Sequence, residues 1–149
     1  MKQPETLFDN TLYLIGENDK SVRDSVMKII RGKGHGISPE QFTILVILFY
    51  QDGITQTEIG TQLNRDKTTI SRVLGRMIKN ELITKTTDTG QKRENKIFIT
   101  PKGMKIQQEL IQATGPVYLQ ALKDIEEKDI EVANRVLRKI FQNMNGSRQ

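Results

Sequence analysis

The chain has no cysteine among its 149 residues. That excludes disulfides, thiolate catalysis and cysteine-based redox sensing. Its single histidine, His35, sits in Gly32-Lys33-Gly34-His35-Gly36 with no carboxylate cluster beside it. No metal site is therefore expected, and His35 reads as a loop residue without a function. Long apolar runs are also missing. The longest, Ile44 to Tyr50, falls far short of the roughly 20 residues a membrane span needs. Met1-Lys2-Gln3-Pro4-Glu5 lacks the apolar stretch of a signal peptide, so a cytoplasmic protein with no membrane role is expected. No nucleophile elbow, phosphate loop or dinucleotide fingerprint occurs, so neither catalysis nor a cofactor is expected.

What the chain does have is positive charge in one place. The formal net charge is +5, with a pI of about 9.5. Between Asn64 and Lys105 there are 11 Lys and Arg against 4 Asp and Glu, whereas the remainder has 12 against 14. The excess is therefore concentrated in one segment, which suits a polyanionic partner. Hydrophobic residues make up 36% of the chain, enough for a packed core.

Apolar spacing predicts a mainly α fold with a small β-hairpin. Phe8, Leu12, Ile15, Val22, Val26 and Ile29 mark one face of a long first helix. Asp19 interrupts that stripe and is read as facing water rather than as lining an effector pocket. Ser38-Pro39-Glu40-Gln41 and Thr55-Gln56-Thr57-Glu58 are capping boxes that open a second and a short third helix. Asn64-Arg65-Asp66 is a tight turn, and Asp66 caps a fourth helix from about Lys67 to Asn80. On that helix Ile70, Val73, Leu74, Met77 and Ile78 fall on one side. Thr68, Ser71, Arg72, Gly75, Arg76 and Lys79 fall on the other. A period of two then predicts a hairpin from Thr84 to Thr100 with its turn at Gly90. A fifth helix starts at Thr100-Pro101 with Ile106, Leu110, Ala113 and Val117 as its seam, and a kink is expected at Gly115-Pro116. A sixth carries Ile130, Ala133, Leu137, Ile140 and Met144. Tyr13, Tyr50 and Tyr118 are read as packing residues. The first and last helices have no partner within the central unit.

A short helix, a tight turn and a second helix form the arrangement that lays the second helix in the major groove. Thr68, Ser71 and Arg72 can reach phosphates or base edges, and Gly75 would let the backbone approach closely. Lys92 and Arg93 at the hairpin tip are placed where a wing could reach the minor groove or flanking phosphates. The expected DNA-binding set is Thr55, Gln56, Asp66, Lys67, Thr68, Thr69, Ser71, Arg72, Arg76, Lys79, Lys92 and Arg93. The alternative is a winged-helix module for a protein or RNA partner.

Four segments carry a resemblance: Thr55 to Leu63, Asp66-Lys67-Thr68-Thr69-Ile70-Ser71-Arg72, Lys79-Asn80-Glu81-Leu82-Ile83, and Ile99-Thr100-Pro101-Lys102-Gly103. In this order and spacing the chain resembles the MarR family of bacterial transcriptional regulators over nearly its whole length. Two positions depart from the family pattern. Gln91 stands where the wing has an aspartate, and Glu81 where the end of the recognition helix has a glycine. The resemblance implies a winged helix-turn-helix over residues 38–100, flanked by dimerisation helices at 5–32 and 101–146. It also implies a homodimer on a pseudo-palindromic operator, usually as a repressor, and a small aromatic or phenolic effector.

Overall fold

Local hydrogen-bonding chemistry decides where most of the helices begin. In the computed structural model, which describes residues 5–87 and 95–146, a 3-10 turn at Leu7–Asp9 precedes α1 (Thr11–Gly32). The Asn10 carboxamide accepts from the amides of Leu12 and Tyr13. α1 therefore starts later than the apolar stripe suggested, and Phe8 lies in the turn before it, edge-on to Tyr13. α2 (Pro39–Tyr50) opens on the Ser38 box, in which Ser38 N–H donates to Gln41 Oε1 at 2.9 Å. α3 (Gln56–Gln62) opens on the Thr55 box, and α4 (Lys67–Lys79) on the Asp66 cap. β1 (Ile54–Thr55), β2 (Ile83–Thr87) and β3 (Asn95–Ile99) form an antiparallel sheet in the order β1-β3-β2. The expected hairpin is thus a three-stranded sheet, with Ile97 opposite both Ile54 and Lys85. α5 (Pro101–Ala121) runs through Pro116, and α6 (Glu127–Asn145) follows. The hairpin tip, including Gly90, Gln91, Lys92 and Arg93, lies outside the described residues.

The chain divides into two compact units, Met1–Val117 and Tyr118–Gln149. The first holds the core: Ile44, Leu45 and Leu48 of α2, Ile59 of α3, Ile70, Val73, Leu74 and Met77 of α4, and Ile54, Ile83 and Ile97 of the sheet. Val26, Met27 and Ile30 of α1 and Leu110 of α5 belong to the same cluster. So the end of α1 does have partners in the central unit, contrary to expectation, and the first half of α5 packs there as well. Ile78 is partly exposed, because it sits at the edge of the α4 apolar face. Tyr50, 82% exposed, and Tyr118 are surface residues rather than packing residues.

The α5 seam also differs from the apolar pattern. The buried positions are Gly103, Gln107, Leu110 and Thr114, while Ile106, Ala113 and Val117 are only half-buried. Each polar member has a partner: Gln107 Nε2 donates to the Leu45 carbonyl at 2.6 Å, and Thr114 Oγ1 to the Leu110 carbonyl at 2.8 Å. In the second unit, α6 has no buried residue, and Val132, Val136, Leu137, Phe141 and Met144 are exposed.

Candidate nucleic-acid interface

The α3-turn-α4 unit is built from short-range bonds. Glu58 closes its box on Thr55, taking Thr55 N–H at 2.8 Å and Thr55 Oγ1–H at 2.6 Å. These bonds hold the Glu58 carboxyl below the usual carboxylate range. After α3, the Arg65 amide returns to the Gly60 carbonyl at 2.9 Å, with Asn64 in the left-handed region at φ 50°. A Cβ at Gly60 would lie 3.2 Å from the Arg65 carbonyl oxygen, so the turn closes tightest over a residue without one. Arg65 also reaches back to Glu40 at the start of α2, at 3.6 Å. Asp66 then takes Thr69 N–H at 2.9 Å and Thr69 Oγ1–H at 2.6 Å, which lowers its carboxyl pKa.

α4 has one apolar and one cationic side. Ile70, Val73, Leu74 and Met77 are buried, whereas Lys67, Thr68, Ser71, Arg72, Gly75, Arg76 and Lys79 are exposed. The helix contains no Asp or Glu, and among the described residues none of its four cations pairs with a carboxylate. Lys67, Thr68, Ser71 and Arg72 line a shallow, open depression at its N-terminal half. A Cβ at Gly75 would meet nothing within 4 Å. Internal packing therefore does not require glycine there, and the space above the backbone is open to an incoming partner.

Six of the twelve expected contact residues thus share one exposed face: Lys67, Thr68, Ser71, Arg72, Arg76 and Lys79. The polar side-chain atoms of Thr55, Asp66 and Thr69 are engaged in the helix caps at the α3 and α4 starts. Gln56, half-buried at the start of α3, accepts from Lys85 Nζ of β2 at 3.5 Å. Lys85 was not among the expected residues. Its alternation in the strand marks only a solvent face, and no sequence signal ties it to Gln56. Lys92 and Arg93 lie outside the described residues.

The join between α4 and the sheet is also polar. α4 is followed by its C-cap residue Asn80, and Glu81 takes φ 60°, the backbone a glycine usually supplies. Thr100 Oγ1 donates to the Glu81 carbonyl at 2.6 Å and accepts the Gly103 amide at 2.9 Å. His35, read above as an idle loop residue, places Nε2 2.9 Å from Glu109 Oε2, and Lys33 Nζ lies 3.3 Å from the other oxygen. No group of three potential metal ligands occurs among the described residues, and no described helix is long and apolar enough to cross a membrane.

Comparison with known proteins places this architecture. The MarR family model matches residues 37–94. The chain is 26% identical over 136 residues to the HTH-type transcriptional regulator YsmB of Bacillus subtilis, covering 87% of this chain and 92% of that protein. It is 28% identical over 109 residues to the HTH-type transcriptional regulator MgrA of Staphylococcus aureus, covering 73% of each. Among solved structures, a MarR-family regulator from Silicibacter pomeroyi superposes with a TM-score of 0.81 at 19% identity, covering 96% of both chains. A putative MarR-family regulator from Listeria monocytogenes, solved with a 26mer DNA, gives a TM-score of 0.78 at 27% identity, covering 91% of this chain and 89% of that one.

Proposed function

We propose, on the premise that the chain belongs to the MarR family, that it regulates transcription by binding a pseudo-palindromic operator as a homodimer. The observation that carries this reading is the α4 face. Four cations and two hydroxyls project from one helix with no acidic neighbour on it, around a glycine whose backbone is open. Such a face supplies the charge neutralisation that dominates affinity and the Arg donor that reads guanine edges. The Listeria relative, described in complex with DNA, supports the same partner for this chain.

In this proposal residues 38–100 form the reading lobe, and helices within 5–32 and 101–146 dimerise. Lys67, Thr68, Ser71, Arg72, Arg76 and Lys79 contact DNA directly. Lys92 and Arg93 act from the wing, Thr55, Asp66 and Thr69 hold the helix starts at the DNA, and Gln56 joins the contacts beside Lys85. The protein acts as a repressor in the bacterial cytoplasm and is released by a small aromatic or phenolic effector. These last features rest on the family likeness.

Selection of bound sequences from random duplex DNA, with sizing of the complex at about 150 mM salt, tests the reading. The expected result is a palindromic consensus held by two chains. Salt-sensitive binding with no consensus would overturn it and favour a protein or RNA partner for the basic face.

A further inference from the structure

We infer that Gln107 is a positioning residue that sets the angle between α5 and the reading lobe, and through it the operator spacing a dimer accepts. The inference rests on the dimeric reading proposed above.

Most of what holds α5 to the lobe is apolar contact at Leu110, Ile106 and Val117. Such contact is non-directional and tolerates small slips. Besides the partly exposed pairs of Glu109 with His35 and Lys33 and of Lys102 with Glu81, two directional bonds stand out. At the start of the helix, Thr100 Oγ1 bridges the Glu81 carbonyl and the Gly103 amide. Two turns on, Gln107 Nε2 donates to the carbonyl of Leu45 in the middle of α2. The two points stand about 10 Å apart along the axis. One fixes where α5 leaves the end of α4 and the other where it crosses α2, so together they fix both its position and its tilt. α2 and α4 share one core through Ile44, Leu45, Ile70 and Leu74, so α2 carries that angle to the recognition helix.

The Gln107 bond is also out of solvent. Gln107 is 4% exposed and Leu45 fully buried, so water cannot replace the bond if α5 shifts. An apolar side chain would fill the volume equally well, so packing alone does not call for an amide here.

The test uses the full chain and a library of operators whose two selected half-sites are separated by one base pair more or fewer than the preferred spacing. The wild type should prefer one spacing by about tenfold over its neighbours, as paired reading helices one helical turn apart require. Gln107→Met should fold, dimerise and keep the half-site consensus, yet spread its binding across spacings within about threefold. Gln107→Leu, also apolar and without any donor, should do the same. Retention of the wild-type spacing preference by both variants would overturn the inference. So would failure of both to fold, since Gln107 would then be a folding determinant. A wild type with no palindromic consensus would instead bring down the dimeric reading itself, and this inference with it.

Discussion

A Cβ on Gly103 would lie 2.0 Å from the carbonyl oxygen of Leu82. The first turn of α5 therefore rests directly on the backbone that leaves α4 for β2. The Thr100 hydroxyl ties the same place, accepting the Gly103 amide while donating to the Glu81 carbonyl. Backbone cannot move aside as a flexible side chain can. Gly103→Ala should accordingly destabilise the fold by about 3 kcal/mol or more, at the upper end for overpacking. Urea unfolding of the two proteins measures it, and a loss under about 1 kcal/mol would mean that the α4–α5 junction yields easily.

Glu81 invites the opposite change. It is a non-glycine residue held at φ 60°, which costs an L-residue about 1–2 kcal/mol. Its side chain is exposed and makes one surface ion pair, with Lys102 at 3.2 Å, worth at most about 1 kcal/mol. Glycine removes the strain but adds unfolded-state entropy of about 0.4–1 kcal/mol. The net expectation for Glu81→Gly is a gain of up to about 1 kcal/mol, seen as a higher melting temperature. A lower melting temperature would show that the Lys102 pair or the side chain matters more than the backbone.

These two neighbouring positions show what the sequence could and could not disclose. Helix starts were legible because their chemistry spans three residues: Ser38 with Gln41, Thr55 with Glu58, Asp66 with Thr69. The cationic side of α4 was legible because a helix converts spacing into a face. Features depending on distant partners were not. β1 is two residues long and exists through pairing with Ile97 and Lys96. The buried row on α5 contains Gly103, Gln107 and Thr114, which no hydrophobic pattern selects, since Gly103 and Gln107 fit only against Leu82 and Leu45. His35 looked idle because its partner, Glu109, is 74 residues away.

That pair gives a pH dependence. The His35 hydrogen bond first, and the Lys33 contact second, hold the Glu109 carboxyl below its ordinary value of 4.5. A carboxyl depressed in the folded state stabilises the fold above its unfolded pKa and loses that contribution as pH falls through its folded value. The stability difference between wild type and Glu109→Gln should thus be largest above about pH 5 and shrink below about pH 4. Denaturation midpoints across that range measure it. A difference that grows on acidification would assign the effect to something other than this carboxylate.

On the proposed reading face, stability and affinity should part company. Gly75 sits mid-helix, exposed, with open space where a Cβ would go. Gly75→Ala should stabilise the fold by about 1 kcal/mol. If DNA approaches the backbone there, the same change should weaken operator binding. Arg72→Ala should leave stability unchanged while costing about 1–3 kcal/mol per half-site and relaxing base preference. Wild-type affinity in both variants would move the DNA away from this face of α4.

The last prediction concerns α6, none of whose apolar residues is fully buried. Leu137, Phe141 and Met144 are exposed, Phe141 by 61%, and Ile130 and Ile140 are only half-buried. A helix with one apolar and one charged side gains from covering the apolar side, at about 25 cal/mol per Å². A second copy of the chain is the proposed cover. Phe141→Glu puts a charge on that apolar side, and none of the described core residues of the first unit lies on α6. The reading lobe should therefore stay folded while light scattering reports a monomer. A monomer engages one half-site at a time, so operator affinity should fall by about 10²-fold or more. A Phe141→Glu protein that remains dimeric and binds normally would exclude this face of α6 from the dimer interface.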